Sequence, residues 1–185
     1  MKTRAAVLSF CLSFGCFATS ALGDNAMMDT FDNNPESRWE FLADTVMGGV
    51  STGQVRFEQE DGAAYARLTG NVSTENRGGF IQFRTELGEK LPKDTQGVRI
   101  VTRGNNQTYF IHLRTSGTVL PWQYYQASFE ATQQWTELRI PFSAFKASGR
   151  MLRSEPRAGS VRSIGVVAFG RDHQAKVDVL EIGFY

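Results

Sequence analysis

An all-β sandwich or jelly roll is the fold class this sequence predicts, and three observations carry it. Short runs rich in Val, Ile, Phe, Tyr and Thr recur with period-two alternation, separated by Gly, Asn or Asp breaks. No stretch sustains a helical stripe for three turns, and no βαβ alternation is visible. Roughly nine strands in about 150 residues is the strand density of a two-sheet sandwich.

The elements follow in chain order. Lys2 and Arg4 precede an apolar run over residues 5–18, and Ala21 and Gly23 supply the small residues before Asp24. Basic, apolar and small-residue segments in that order read as a secretory signal over 1–23. The run is short of the roughly 20 residues a membrane-spanning helix needs, and a mitochondrial presequence would be amphipathic and richer in arginine. The protein is therefore expected to be exported, periplasmic in a Gram-negative host and secreted otherwise. Cys11 and Cys16 both fall inside this segment, so the mature fold is expected to form without disulfides. Lipid attachment at Cys16 is the lesser reading, because Ser13-Phe14-Gly15 lacks the usual leading Leu.

Residues 24–37 are polar and turn-rich up to Asn33-Asn34-Pro35, and read as a linker or loose first strand. The sandwich domain is expected over 38–185. Val55 and Phe57 alternate with Gln54, Arg56 and Glu58, and Asp61-Gly62 turns this run into 63–68. Runs at 80–87, 98–103, 108–115, 123–131, 136–140, 163–169 and 176–185 follow the same rule. One helical turn fits at 143–146. In the last run Val177 and Val179 share one phase while Leu180, Ile182 and Phe184 share the other, which predicts a bulge near Val179.

Little visible chemistry is catalytic. Gly49-Val50-Ser51-Thr52-Gly53 fits the pattern of hydrolase nucleophile elbows, yet that pattern works at a strand-to-helix turn, and a polar strand follows here. A glycine-rich loop leading into a strand is the reading its context favours. His112 sits mid-strand with Phe110 and Arg114, and His173 follows Gly170-Arg171-Asp172 in a turn; both read as structural or solvated. Two isolated histidines and no mature cysteine predict no zinc site, and no cofactor is expected. Glu58 and Glu60, next to Asp61, read as a solvated edge. After residue 23 the chain carries 18 basic and 19 acidic side chains, too even a balance for bulk attraction to nucleic acid or anionic lipid.

Three segments remain as binding candidates. Gly48-Gly49 and Gly78-Gly79 mark two loops dense in polar groups, with Asp44, Met47, Ser51, Asn76 and Arg77 beside them. They read either as tight turns that topology requires or as docking loops. Trp122, Tyr124 and Tyr125 form an aromatic cluster after Pro121, which stacks on a ligand if exposed or alternates between core and surface if not.

Together these residues resemble the complex I intermediate-associated protein 30 family, from about Trp39 to Tyr185. Asp44-Thr45-Val46-Met47-Gly48-Gly49-Val50-Ser51 is similar to that family's signature. Glu75-Asn76-Arg77-Gly78-Gly79-Phe80 with Phe83-Arg84 is similar to its second motif. Arg103-Gly104, Tyr109, Trp135, Ile140-Pro141-Phe142 and Phe145 fit the later pattern. The resemblance implies a galactose-binding-like jelly roll and a non-catalytic role, since the mitochondrial relatives act as chaperone-like assembly factors. This chain departs from them in carrying a secretory signal. The function expected is an exported assembly or protein-interaction factor, with a membrane or envelope complex as partner. A carbohydrate-binding module is the alternative, and a Ser51-dependent hydrolase ranks below both.

Overall fold

The computed structural model describes residues 28–185, and the signal expected over 1–23 lies outside them. Eleven strands form two antiparallel sheets. The first has six strands in the order β1 (Glu40–Ala43), β4 (Phe80–Glu86), β10 (Val161–Phe169), β6 (Gln107–Thr115), β7 (Tyr125–Ala131) and β9 (Lys146–Ala147). The second has five, in the order β2 (Thr52–Glu60), β3 (Ala63–Val72), β11 (His173–Phe184), β5 (Gly97–Gly104) and β8 (Thr136–Pro141). The fold is the jelly-roll sandwich the sequence predicts. Among the described residues no helix is long and apolar enough to cross a membrane.

Alternation places the core between the sheets. In β6, Tyr109, Ile111 and Leu113 are fully buried while Phe110, His112 and Arg114 face outward. Val177, Val179, Ile182 and Phe184 of β11 enter the same core, and the register shifts between Val179 and Glu181. That shift is the bulge which returns Ile182 and Phe184 to the buried face. The helical turn after Pro141 is a short 3₁₀ turn, Phe142–Ala144.

Residues 29–37, ahead of β1, pack onto the sandwich. Asp29 exchanges backbone hydrogen bonds with Ile182 at 2.8 and 3.0 Å, and its carboxylate accepts from the Trp39 indole at 2.8 Å. Phe31 is buried, with ring centroids 5.4 Å from Trp39 and 5.9 Å from Phe57. One aromatic side chain therefore plugs the edge of the sandwich. The polar residues around it satisfy the loop backbone.

Candidate functional site

Two features stand out on this scaffold, and the first is the glycine-rich end. Asp44 begins a 3₁₀ turn, Asp44–Met47, and its side chain is fully buried. Its carboxylate accepts hydrogen bonds from the Ser51 amide (2.9 Å), the Ser51 hydroxyl (2.5 Å), the Gly79 amide (2.5 Å) and the Phe80 amide (3.3 Å). Burial disfavours the charge, but these donors outweigh it and hold the carboxyl below the usual aspartate range. The glycines are there because the backbone must come this close. A Cβ on Gly49 would lie 2.3 Å from Asp44 Cγ, and one on Gly78 would lie 2.3 Å from Asp44 Oδ2. Thr74 donates twice to Asp172, and the Gly170 amide donates to the Gly79 carbonyl, so the loop after β10 joins the same knot.

The buried members of the motif, Asp44 and Ser51, with Gly49 packed against the carboxylate, thus hold the loop rather than face a ligand. The Ser51 hydroxyl donates to Asp44 and accepts from the Ser73 amide, and the residue is 1 % exposed. It is neither free nor accessible as a nucleophile. What the knot presents to solvent is apolar: Val46 and Met47 are 69 % and 63 % exposed, and Val50 is also exposed. Gly48, at φ 90°, closes the turn behind them. Asn76 and Arg77 stand exposed on the adjacent loop, both with positive φ.

The second feature is the outer face of the six-stranded sheet. Pairing aligns Glu40, Arg84, Gly165, His112, Gln126 and Lys146 in one row across all six strands. Gly165 leaves a gap in that row, and a Cβ there would approach Arg84 Cβ to 3.1 Å. The result is a depression of about 50 Å³ among Gln82, Arg84, His112, Arg114 and Tyr124. The Tyr124 ring stacks on His112 with centroids 4.1 Å apart and planes 10° from parallel. Phe169 packs edge-on against Phe110, His112 and Tyr124. His112 Nε2 lies 2.9 Å from Gln126 Oε1, and burial under Tyr124 pushes the imidazole down to about 4, so it is neutral at pH 7.

The opposite sheet is closed by ion pairs. Asp178 is buried, pairs through both oxygens with Arg67 (2.7 and 2.8 Å), and also accepts from Arg103 (2.9 Å), which lies over the Trp135 ring. Among the described residues no group of three or more His, Asp or Glu side chains is placed to share a metal.

A family model described as complex I intermediate-associated protein 30 matches residues 29–180. The chain belongs to that family. The match spans the Asp44 knot and begins at the residue that bridges to Ile182. No curated protein matches the sequence. Among solved structures, this family member is similar to a family 11 carbohydrate-binding module from Clostridium thermocellum in complex with a β-1,3-1,4-mixed-linked tetrasaccharide. The TM-score is 0.69 at 13 % identity, over 86 % of this chain and 94 % of that one. The family 11 module of the cellulase Lic26A-Cel5E of Clostridium thermocellum gives 0.68 at 14 % identity, over 89 % and 95 %. A family 30 carbohydrate-binding module gives 0.53 at 11 % identity, over 74 % and 92 %. At these identities the likeness is one of fold.

The three aromatics read together in the sequence are parted in this family member. Trp122 is 65 % exposed on a loop, Tyr124 lies on the sheet face, and Tyr125 is in the core. Gln82, Arg84, Gly165 and Gln126 escape sequence reasoning because they come from separate strands and meet only through register. Gly165 alone carries a signal, as a glycine inside an otherwise Val-rich strand marks a close approach.

Proposed function

We propose that this protein is a non-catalytic assembly or protein-interaction factor that docks a protein partner through the 44–51 loop tip. The observation that carries this reading is the exposure of Val46 and Met47 on a loop fixed by a buried carboxylate. An apolar tip on a rigid support loses little conformational entropy when covered. Each such side chain contributes about 2 kcal/mol when fully buried. The family description, a protein associated with complex I intermediates, points the same way. An exported chain would meet a membrane or envelope complex. The test is a photo-crosslinking side chain at Met47 in cells, compared with the same probe at the exposed Arg56 of β2. A defined partner captured only at Met47, and lost with Val46→Asp, supports docking at the tip. Equal capture at both positions ends this reading.

A carbohydrate-binding role is the second reading, carried by the flat His112–Tyr124 stack beside Arg84, Arg114 and Gln82. Planar rings next to planar polar side chains suit a sugar ring and its hydroxyls. The fold shared with the family 11 module supports it. Titration with mixed-linked β-glucan oligosaccharides would show saturable binding that falls at least tenfold with Tyr124→Ala. No binding across a panel of soluble glycans would remove it.

A further inference from the structure

Six large apolar side chains stand exposed among the described residues, and they fall into two groups of three. Val46, Met47 and Val50 form the tip already described. Val119, Trp122 and Met151, at 81 %, 65 % and 85 % exposure, lie at the other end. Strand β10 fixes that geometry: Phe169 pairs with Phe80 beside the Asp44 knot, and Val161 pairs with Thr115, where the chain enters the loop carrying Val119 and Trp122. Met151 lies on the loop that follows β9. The two loops are tied through Ser148, which exchanges hydrogen bonds with the Tyr124 backbone at 2.9 and 3.0 Å and donates to the Trp122 carbonyl at 3.2 Å.

Charge marks these two loops. Residues 28–185 carry 18 basic and 18 acidic side chains, yet the segments 114–124 and 146–157 hold Arg114, Lys146, Arg150, Arg153 and Arg157 against Glu155 alone. Lys146, Arg150, Arg153 and Arg157 are exposed. Four arginines on the sheet faces, Arg67, Arg84, Arg99 and Arg103, are ion-paired. Among the described residues none of these four loop cations has a carboxylate partner. The 44–51 end has no such excess, with Glu75 and Asp172 beside Arg77 and Arg171.

We propose that the 116–124 and 148–157 loops form a docking surface for an anionic lipid bilayer, with Trp122, Val119 and Met151 entering the interface and Lys146, Arg150, Arg153 and Arg157 meeting the headgroups. An indole flanked by small apolar groups favours the headgroup–acyl boundary, and clustered cations are drawn to anionic lipid. A protein partner would accept the apolar trio; the unpaired cations favour the lipid surface. This inference stands apart from the partner docking proposed for the 44–51 tip.

The test is vesicle co-sedimentation of the exported full-chain product on phosphatidylcholine with and without phosphatidylglycerol. Binding only to the anionic vesicles, weakened by salt, is expected. Each neutralised cation should weaken it about fivefold, so Arg150→Gln with Arg153→Gln costs about 25-fold. The tryptophan emission should shift to the blue on binding, and Trp122→Ser should abolish that shift. Val46→Asp with Met47→Asp should leave vesicle binding unchanged, which separates this proposal from the docking of a protein partner. Equal binding to both vesicle types, no binding to either, or loop variants that bind as the parent does would each overturn it. All these substitutions sit on exposed loops, and unchanged melting curves will show that the variants fold.

Discussion

Replacing Asp44 with Asn tests the central claim about the signature loop, that its carboxylate is a structural knot. The anion accepts three backbone N–H groups and one hydroxyl, all inside the protein. An amide keeps one acceptor oxygen and turns an NH₂ toward donors, leaving at least one buried N–H facing a hydrogen. A hydrogen bond to a charged group is worth about 1.5–3 kcal/mol, so the expected loss is about 3 kcal/mol. In a domain this size that lowers the melting temperature by about 6–12 °C. The effect also depends on pH. The folded carboxyl ionises below the usual range, despite burial, because of its donors. Its stabilisation is therefore present above the unfolded aspartate value and is lost as pH falls through the depressed folded value. Urea midpoints of parent and Asp44→Asn should differ widely at pH 7 and converge in acid. A difference below about 0.5 kcal/mol at pH 7, the range of an ordinary surface change, would refute the argument. So would a gap that survives undiminished in acid. Gly78→Ala offers a second check, because its clash is first with Asp44 Oδ2. Its cost should shrink by about 1 kcal/mol or more in an Asp44→Ala background.

Asp178→Ala should lower stability by about 2–3 kcal/mol, read by thermal melting, because Arg67 and Arg103 then lose their shared buried anion and keep only Glu58 and Glu60 at the rim. Phe31→Ala should cost about 3–5 kcal/mol in the same assay, and a small effect would return residues 29–37 to the status of a linker. His112 titrates in the fold at about 4, below its unfolded value, so unfolding takes up a proton. Stability should be full above about pH 6.5 and fall by about 2 kcal/mol from pH 7 to pH 5. Urea midpoints of His112→Gln should show a slope smaller by that amount, and an unchanged slope would assign the titration elsewhere.

Strands were legible wherever one face is buried along five or more residues. The alternation of 108–115 and the phase slip at Val179 both translate directly into β6 and the β11 bulge. β1 lacks that signal, being a four-residue edge strand with only Ala43 fully buried. The 29–37 segment hid its role because one phenylalanine among polar residues has no period. At the sites, the glycine motif was visible but the burial of Asp44 was not. That burial depends on amides of Gly79 and Phe80, some 35 residues away in sequence. The sheet-face row was beyond reach for the same reason, since it takes one residue from each of six strands.

Each sheet has as a middle strand one of the last two strands made. β10 joins β4 to β6, and β11 joins β3 to β5. Without them the first sheet is a β1–β4 pair apart from β6, β7 and β9, and the second is a β2–β3 hairpin apart from a β5–β8 pair whose strands are far apart in the chain. Isolated hairpins are marginal in water, so little of this domain can set before residue 161 is available. Through most of its synthesis a nascent chain would lack the strands that join the halves of both sheets. Closure then comes late and all at once, when the C-terminal strands slot into both layers and long-range pairing is complete.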